Sequence, residues 1–357
     1  MKISINSTFS YIKFNLNYGS ALQCYALQKY LKKRGHNPEH VRDYRANPKY
    51  ILQRFKNIKY FPCFCKKIKA LSQLQNFIKN YLSLSERAYI SYRGLVKHCP
   101  KADCHIAGSD QIWHNTNNFR YLTYVPDNAL KLSYAASFGR ASISQNMKNT
   151  IAPWLKRFDG ISVRETSAVD IINSMGINAV HVLDPTLLLN WEEYPYKENH
   201  KSNYIFCYFL NLGDKNFVCF DNIKQICNKL NKELITCVPL NYSLFLKDNI
   251  VFPSVEEWLG FYKNADFIFT NTYHGLLFCI IFKKQFIFFS QKGSSEAENE
   301  RFYSLLKLLN LENRLITPNL SHKIPDLMSE KIDYNKVFKL INKEREKTDN
   351  FFKKYGI

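Results

Sequence analysis

The run DFIFTNTYHGLLFCIIF at 266–282 concentrates the residues best suited to chemistry. An apolar strand ends in Thr270-Asn271-Thr272-Tyr273-His274-Gly275, and an apolar helix follows at once. A helix N-terminus presents unsatisfied N–H groups and a partial positive charge, so it attracts anions. The same field lowers the pKa of a histidine placed there, and an imidazole near neutrality suits general acid–base work. A histidine that only caps or packs a helix would give the same pattern. Other polar residues also follow apolar strands. They are Asn15-Leu16-Asn17-Tyr18-Gly19, Gly108-Ser109-Asp110-Gln111, Ser137-Phe138-Gly139-Arg140, Arg164-Glu165 and Asp184-Pro185-Thr186. Asp110 can bind a sugar hydroxyl, act as a base or serve as an N-cap. Arg164 beside Glu165 is either an anion clamp or an internal ion pair. Neither GxGxxG nor GxxxxGK[ST] occurs, and the ten cysteines include no CxxC pair. Dinucleotide, P-loop and zinc-site patterns are therefore missing from the sequence.

These residues need strands to end beside them. Apolar runs at 3–9, 41–44, 102–107, 132–136, 160–163 and 180–183 predict strands, with helices following Asn17 and spanning 145–158 and 166–175. A second series has strands at 204–209, 234–238, 267–270 and 286–289. Its helices lie near 216–231, 254–263, 274–283 and 298–309, and a charged amphipathic helix spans 333–354. The polar stretch 190–203 reads as a linker. The expected fold is α/β, with two Rossmann-like domains facing a cleft. The domains are 1–195, with a basic aromatic insertion at about 47–97, and 196–330. Within that insertion Pro62 divides two predicted helices.

The chain has 357 residues and a formal charge of +20, with 46% apolar residues, enough for two cores. No apolar run reaches the ~18 residues of a membrane-spanning helix, and no secretory signal is visible. A cytoplasmic location is expected. The charge is uneven. Residues 1–100 hold 19 Lys+Arg against 3 Asp+Glu, whereas 101–300 hold 19 against 20. An anionic partner for the first segment is implied.

Taken in order, seven stretches resemble the polysaccharide pyruvyl transferase family. They are NYGSALQCYALQKYLKKRGH at 17–36, AGSDQIW at 107–113, LSYAASFG at 132–139 and ISVRE at 161–165, then VLDPTLLL at 182–189, NADFIFTNTYHGLLFCIIF at 264–282 and RFYSLLKLLNLENR at 301–314. The resemblance implies a GT-B-like architecture whose last helix, within 331–357, packs back on the first domain. It implies transfer of the enolpyruvyl unit of phosphoenolpyruvate to a sugar of a surface-polysaccharide or lipid-linked precursor, forming a pyruvate ketal. No cofactor or metal is implied; phosphoenolpyruvate is the donor substrate.

The family's histidine maps onto His274, the expected catalytic residue. Arg164, Arg301, Arg140, Thr272, Asn271 and Gly275 are the expected donor or anion-binding residues. Asn17, Gly19, Ser109, Asp110 and Gln111 are expected on the acceptor side. Members of the family often read R-x-H where this chain reads Thr272-Tyr273-His274, so either Arg140, Arg164, Lys292 or Arg301 supplies the missing charge or the donor differs. Arg314 is a further candidate, as an anion ligand or a helix-end structural charge. The alternatives are a GT-B glycosyltransferase using a nucleotide sugar and a non-catalytic basic binding protein. No nucleic acid partner is expected. The basic segment is expected to meet an anionic membrane surface at the inner membrane face, where each Lys or Arg contributes about 1 kcal/mol.

Overall fold

The computed structural model describes residues 1–7, 16–43, 61–240, 242–291 and 299–357. Asn15, Lys292 and the first part of the basic stretch, 47–60, lie outside the described residues. The first sheet is parallel. It contains β1 (Lys2–Asn6), β2 (Asn37–Asp43), β3 (Leu84–Tyr89), β4 (Cys104–Ala107), β5 (Leu130–Ala136), β6 (Gly160–Val163) and β7 (Val180–His181). Their spatial order is 3-2-1-4-5-6-7. The second sheet, also parallel, contains β8 (Tyr204–Tyr208), β9 (Glu233–Cys237), β10 (Phe267–Thr270), β11 (Phe286–Phe289) and β12 (Leu315–Ile316), in order 12-11-10-8-9. Runs such as YIFCY and FIFF form strands here because both sheet faces are covered, and every residue of β8 and β11 is buried.

Helices cover both sheets. The first group is α1 (Tyr18–Lys33), α2 (Phe61–Tyr81), α3 (Tyr92–Lys97), α4 (Gln145–Leu155) and α5 (Thr166–Asn173). The second is α6 (Phe220–Lys229), α7 (Val255–Asn264), α8 (Tyr273–Ile281), α9 (Glu300–Leu308), α10 (Ile324–Ser329) and α11 (Tyr334–Lys354). The order of strands reverses between β1 and β4 in one sheet and between β8 and β10 in the other. Loops leaving a reversal point diverge, and the crevice between them is where open α/β sheets bind ligands. The segments at these points are Asn6-Ser7 and Gly108-Ser109-Asp110 in one sheet, and Phe209-Leu210 and 271–274 in the other.

The structure revises the basic insertion. Pro62 sits in the first turn of α2, where a missing N–H costs no hydrogen bond, and the stretch before Phe61 that the sequence reads as a helix lies outside the described residues. The chain then enters β3, which pairs in parallel with β2. The stretch from 84 on is thus the edge of the first sheet rather than an appendage. The sequence LSERAY hides this strand because its charged residues occupy exposed edge positions.

One apolar cluster crosses from sheet to sheet. Tyr18 of α1 stacks on Trp258 of α7, with ring centroids 5.3 Å apart, and donates to the Pro253 carbonyl at 2.8 Å. Helix α11 ties the halves again. Its Val337 and Ile341 join the cluster that holds Trp258 and Phe278. Its Phe351 and Phe352 pack among Ile3, Ile5, Ile106 and Leu132 of the first sheet. Phe352 stacks on Tyr134 at 4.9 Å. Arg345 donates to the carbonyls of Leu187 and Leu189 at 2.7 and 3.1 Å.

Phe352 is fully buried. Its replacement by Ala should cost about 3–5 kcal/mol, read from the midpoint shift in urea unfolding. A loss below about 1 kcal/mol would show that α11 does not anchor the first domain.

Candidate active site

The turn after β10 is built by its own side chains. Thr272 caps α8 by accepting from the Gly275 N–H at 2.9 Å. A Cβ on Gly275 would lie 2.2 Å from Thr270 Oγ1 and 2.4 Å from Thr272 Oγ1, so glycine is required there. Asn271 accepts from the Leu210 N–H at 2.9 Å and donates to its carbonyl at 2.7 Å, joining the exits of β10 and β8. The side chains of Asn271 and Thr272, expected on the donor, make the hydrogen bonds that shape the turn, and Gly275 gives its N–H to the cap. The unsatisfied groups of a helix start had to be met locally.

His274 leaves this turn toward the first domain. It is buried, with 8% exposure, against Gly19 of α1. A Cβ on Gly19 would lie 2.2 Å from the His274 ring, so only glycine lets the two domains meet there. His274 Nε2 stands 3.7 Å from Asp184 Oδ2. That carboxylate also accepts from Arg164 Nη1 at 2.9 Å and Ser109 Oγ at 3.3 Å. Its other oxygen accepts from Thr186 N and Oγ1, at 3.0 and 2.7 Å. Burial lowers the His274 pKa. Asp184 and Asp110 pull it back up, while Arg164 and Arg301 push it down again, and the net shift is downward. The ring is therefore neutral at pH 7, since its ordinary value is about 6.5.

Arg164, expected as an anion clamp, lies in an internal ion-pair network that leaves its Nη2 without a hydrogen-bond partner among the described residues. Its Nε donates to Glu165 Oε1 at 3.1 Å, its Nη1 holds Asp184, and Asp110 lies 3.7 Å away. Its guanidinium lies over the Tyr273 ring, 4.2 Å from the centroid. With three carboxylates around one buried cation, its charge is used inside the protein. Ser137 Oγ donates to the same Glu165 oxygen at 2.7 Å. Asp110 is the more open acid, with 13% side-chain exposure and a left-handed backbone at φ 70°. Burial alone would raise its carboxyl. His274, when protonated, together with Arg164 and Arg301 outweighs burial and brings it down to about 2.

Arg301 of α9 joins the cluster, buried, 5.8 Å from the Tyr273 centroid and 5.0 Å from that of Phe302. Arg140 does not join these contacts. Gly139, at φ 70°, turns the chain after β5, and Arg140 Nη2 sits 3.0 Å from His114 Nδ1. Gln111 packs on Gly139, where a Cβ would meet its Nε2 at 2.3 Å. Asn17 caps α1, accepting from the Ser20 N–H at 3.2 Å. Arg314 is structural, donating to the Leu327 and Glu330 carbonyls at 2.6 and 2.9 Å. The structure thus brings together His274, Gly19, Ser109, Asp110, Arg164 and Arg301. It adds Asp184, Glu165 and Tyr273, which the sequence placed in candidate clusters but not among the expected site residues. The available signal was position: Asp184 and Glu165 each directly follow an apolar strand.

If Asp184 holds up the pKa of the ring, Asp184→Asn should move the His274 titration, followed by NMR of the imidazole carbon, to still lower pH. An unchanged midpoint would rule out this coupling.

Solved structures of similar fold include a putative UDP-N-acetylglucosamine 2-epimerase from Listeria monocytogenes, 10% identical, covering 96% of this chain and 94% of that one at a TM-score of 0.53. The UDP-GlcNAc 2-epimerase of Methanocaldococcus jannaschii is 13% identical and covers 93% of each chain at 0.56. S. aureus MnaA, solved with UDP, is 13% identical and covers 99% and 96% at 0.55. These likenesses establish the fold: two Rossmann-like domains in a GT-B-like arrangement. No curated protein matches the sequence. The model of the polysaccharide pyruvyl transferase family matches residues 17–293, across both sheets and all of the His274 cluster except Arg301, and the chain belongs to that family.

Proposed function

We propose that the chain moves the enolpyruvyl group of phosphoenolpyruvate onto a sugar of a surface-polysaccharide or lipid-linked glycan precursor and closes a pyruvate ketal. The observation that carries this reading is His274, at the reversal point of the second sheet and set against Asp184 of the first domain, in a member of this family. The donor's methylene carbon takes up a proton, which makes the central carbon electrophilic. One sugar hydroxyl adds there, and a second displaces phosphate to close the ring. Of the two hydroxyl protons released, one balances that taken by the methylene carbon and the other leaves with phosphate. A neutral, buried imidazole begins as the base that takes a hydroxyl proton. Once protonated it is the acid, and the Asp184 carboxylate stabilises the imidazolium. Arg301 and the N-terminus of α8 supply positive potential for the donor. Asp110, the open acid of the cluster, holds an acceptor hydroxyl.

A second reading has specific support. Among the described residues the cluster holds three carboxylates against two arginines, and Thr272 stands where the family often has its donor-binding arginine. The similar folds named above include proteins described with UDP-sugars. A nucleotide-sugar glycosyltransferase would fit these features.

Phosphorus NMR separates the two. Phosphate release from phosphoenolpyruvate should depend on an added glycan acceptor, and His274→Ala should lower it by about 10²–10⁴-fold with little change in thermal unfolding. No release across a broad acceptor panel, with a nucleotide sugar consumed instead, would establish the second reading. Near-wild-type turnover by the variant would remove His274 from its role.

The location follows from the charge. Among the described residues no helix is long and apolar enough to cross a membrane. We place the protein in the cytoplasm, peripheral at the inner membrane face, with its basic first 100 residues toward anionic lipid. Binding to phosphatidylglycerol vesicles should weaken with salt. Equal binding to neutral vesicles would reject this electrostatic account.

A further inference from the structure

Asp184 and His274 come from different domains, yet one helix is bonded to the surroundings of both. At the start of α11, Tyr334 Oη lies 3.3 Å from the carbonyl of Cys279, on the helix α8 that carries His274, and it also reaches the carbonyl of Lys284. Farther along α11, Thr348 Oγ1 lies 3.1 Å from Tyr134 Oη of β5. Tyr134 Oη in turn donates to the Leu183 carbonyl at 3.0 Å. At 1.5 Å per residue the two contacts lie about 21 Å apart along the helix, a span that only a continuous element holds fixed.

The protons of this contact can be counted. A carbonyl only accepts, so the single hydroxyl proton of Tyr134 goes to Leu183, and Thr348 gives its own to Tyr134. Both residues are fully buried, where an unpaired hydroxyl is costly. The Leu183 carbonyl shares one planar peptide with the Asp184 N–H, so holding it sets the direction in which the chain presents Asp184. Other residues of α11 grip the same region. His181 Nε2 donates to the Arg164 carbonyl at 3.1 Å, and its Nδ1 lies 3.6 Å from Glu344 of α11. Glu344 and Thr348 are four apart and share one face of the helix, with Arg345 and its bonds to Leu187 and Leu189 beside them.

We propose that Tyr134 and Thr348 are positioning residues for Asp184: their paired hydroxyls fix its carboxylate against the His274 ring, with α11 as the common reference for the two domains. The inference rests on the pyruvyl transfer reading only for what this does in turnover, where Asp184 stabilises the imidazolium. The two parts of Tyr134 have separate tasks. Its ring packs on Phe352, a contact that phenylalanine would keep, and its hydroxyl alone addresses the Asp184 loop.

NMR of the His274 imidazole carbon, on the full chain without substrate, tests this apart from the transfer chemistry. Asp184 raises the pKa of the ring, so Tyr134→Phe should move the titration midpoint to lower pH, in the direction of Asp184→Asn and by less. Asp110, Arg164 and Arg301, the other charged groups that face the ring, are unchanged in these variants. In an Asp184→Asn background, Tyr134→Phe should add no further shift. Thr348→Val keeps the shape and loses the hydroxyl, so it should act like Tyr134→Phe, whereas Thr348→Ser should keep the wild-type midpoint. Urea unfolding checks that each variant folds. An unchanged midpoint in either folded Tyr134→Phe or Thr348→Val would overturn the proposal, as would a full shift by Tyr134→Phe in the Asp184→Asn background. The expected shifts together with no phosphate release from phosphoenolpyruvate would support the positioning role and count against the transfer reading alone.

Discussion

The contact of the His274 ring with the bare backbone of Gly19 sets the geometry of the whole site. The two residues belong to different domains, and each lies in the first turn of a helix. Any side chain at position 19 would overlap the imidazole, since even a Cβ falls 2.2 Å from it. With no atoms there, the second domain can deliver its histidine to the acids of the first. Tyr18, one residue earlier, fixes the approach through its stack on Trp258 and its bond to Pro253.

The polar cluster behind this contact cannot stand alone. Taking charges out of water is costly, and breaking one buried pair typically costs about 3–5 kcal/mol. Asp110, Glu165 and Asp184 gather on Arg164, with Arg301 nearby, and hydroxyls of Ser109, Ser137 and Thr186 donate to Asp184 and Glu165. The apolar layer of Tyr18, Tyr208, Trp258 and Phe278 holds the domains at the separation this network needs. Helix α11 then links the two cores, so relative movement of the sheets is resisted at both ends.

The departure from R-x-H has a local physical consequence. Thr272 caps the helix through its hydroxyl, a bond to Gly275 that an arginine could not make in the same way. The positive charges beside Tyr273 come instead from Arg164 and, farther off, Arg301, neither of them on its helix. The chemistry-bearing part of the chain stays near neutral overall, while the basic excess collects on the first 100 residues.

Strand and helix placement was largely legible in the sequence, because parallel strands buried on both faces are continuous apolar runs. β6, β10 and β11 span the residues their apolar runs predict. β3 was not legible, since an edge strand keeps its charges, nor was the two-residue β12. Of the site, His274, Asp110 and Arg301 could be named from residue type and position. The part played by Arg164 could not: one arginine next to one glutamate looks the same whether it grips a ligand or is neutralised. Only the tertiary structure brings Asp184 and Asp110 onto it, from strand ends far apart in sequence. The sequence by itself determined which residues stand at strand ends and helix starts, because local patterning fixes both. The fold decided which of them share a charge, because burial and distance exist only once the two sheets face each other.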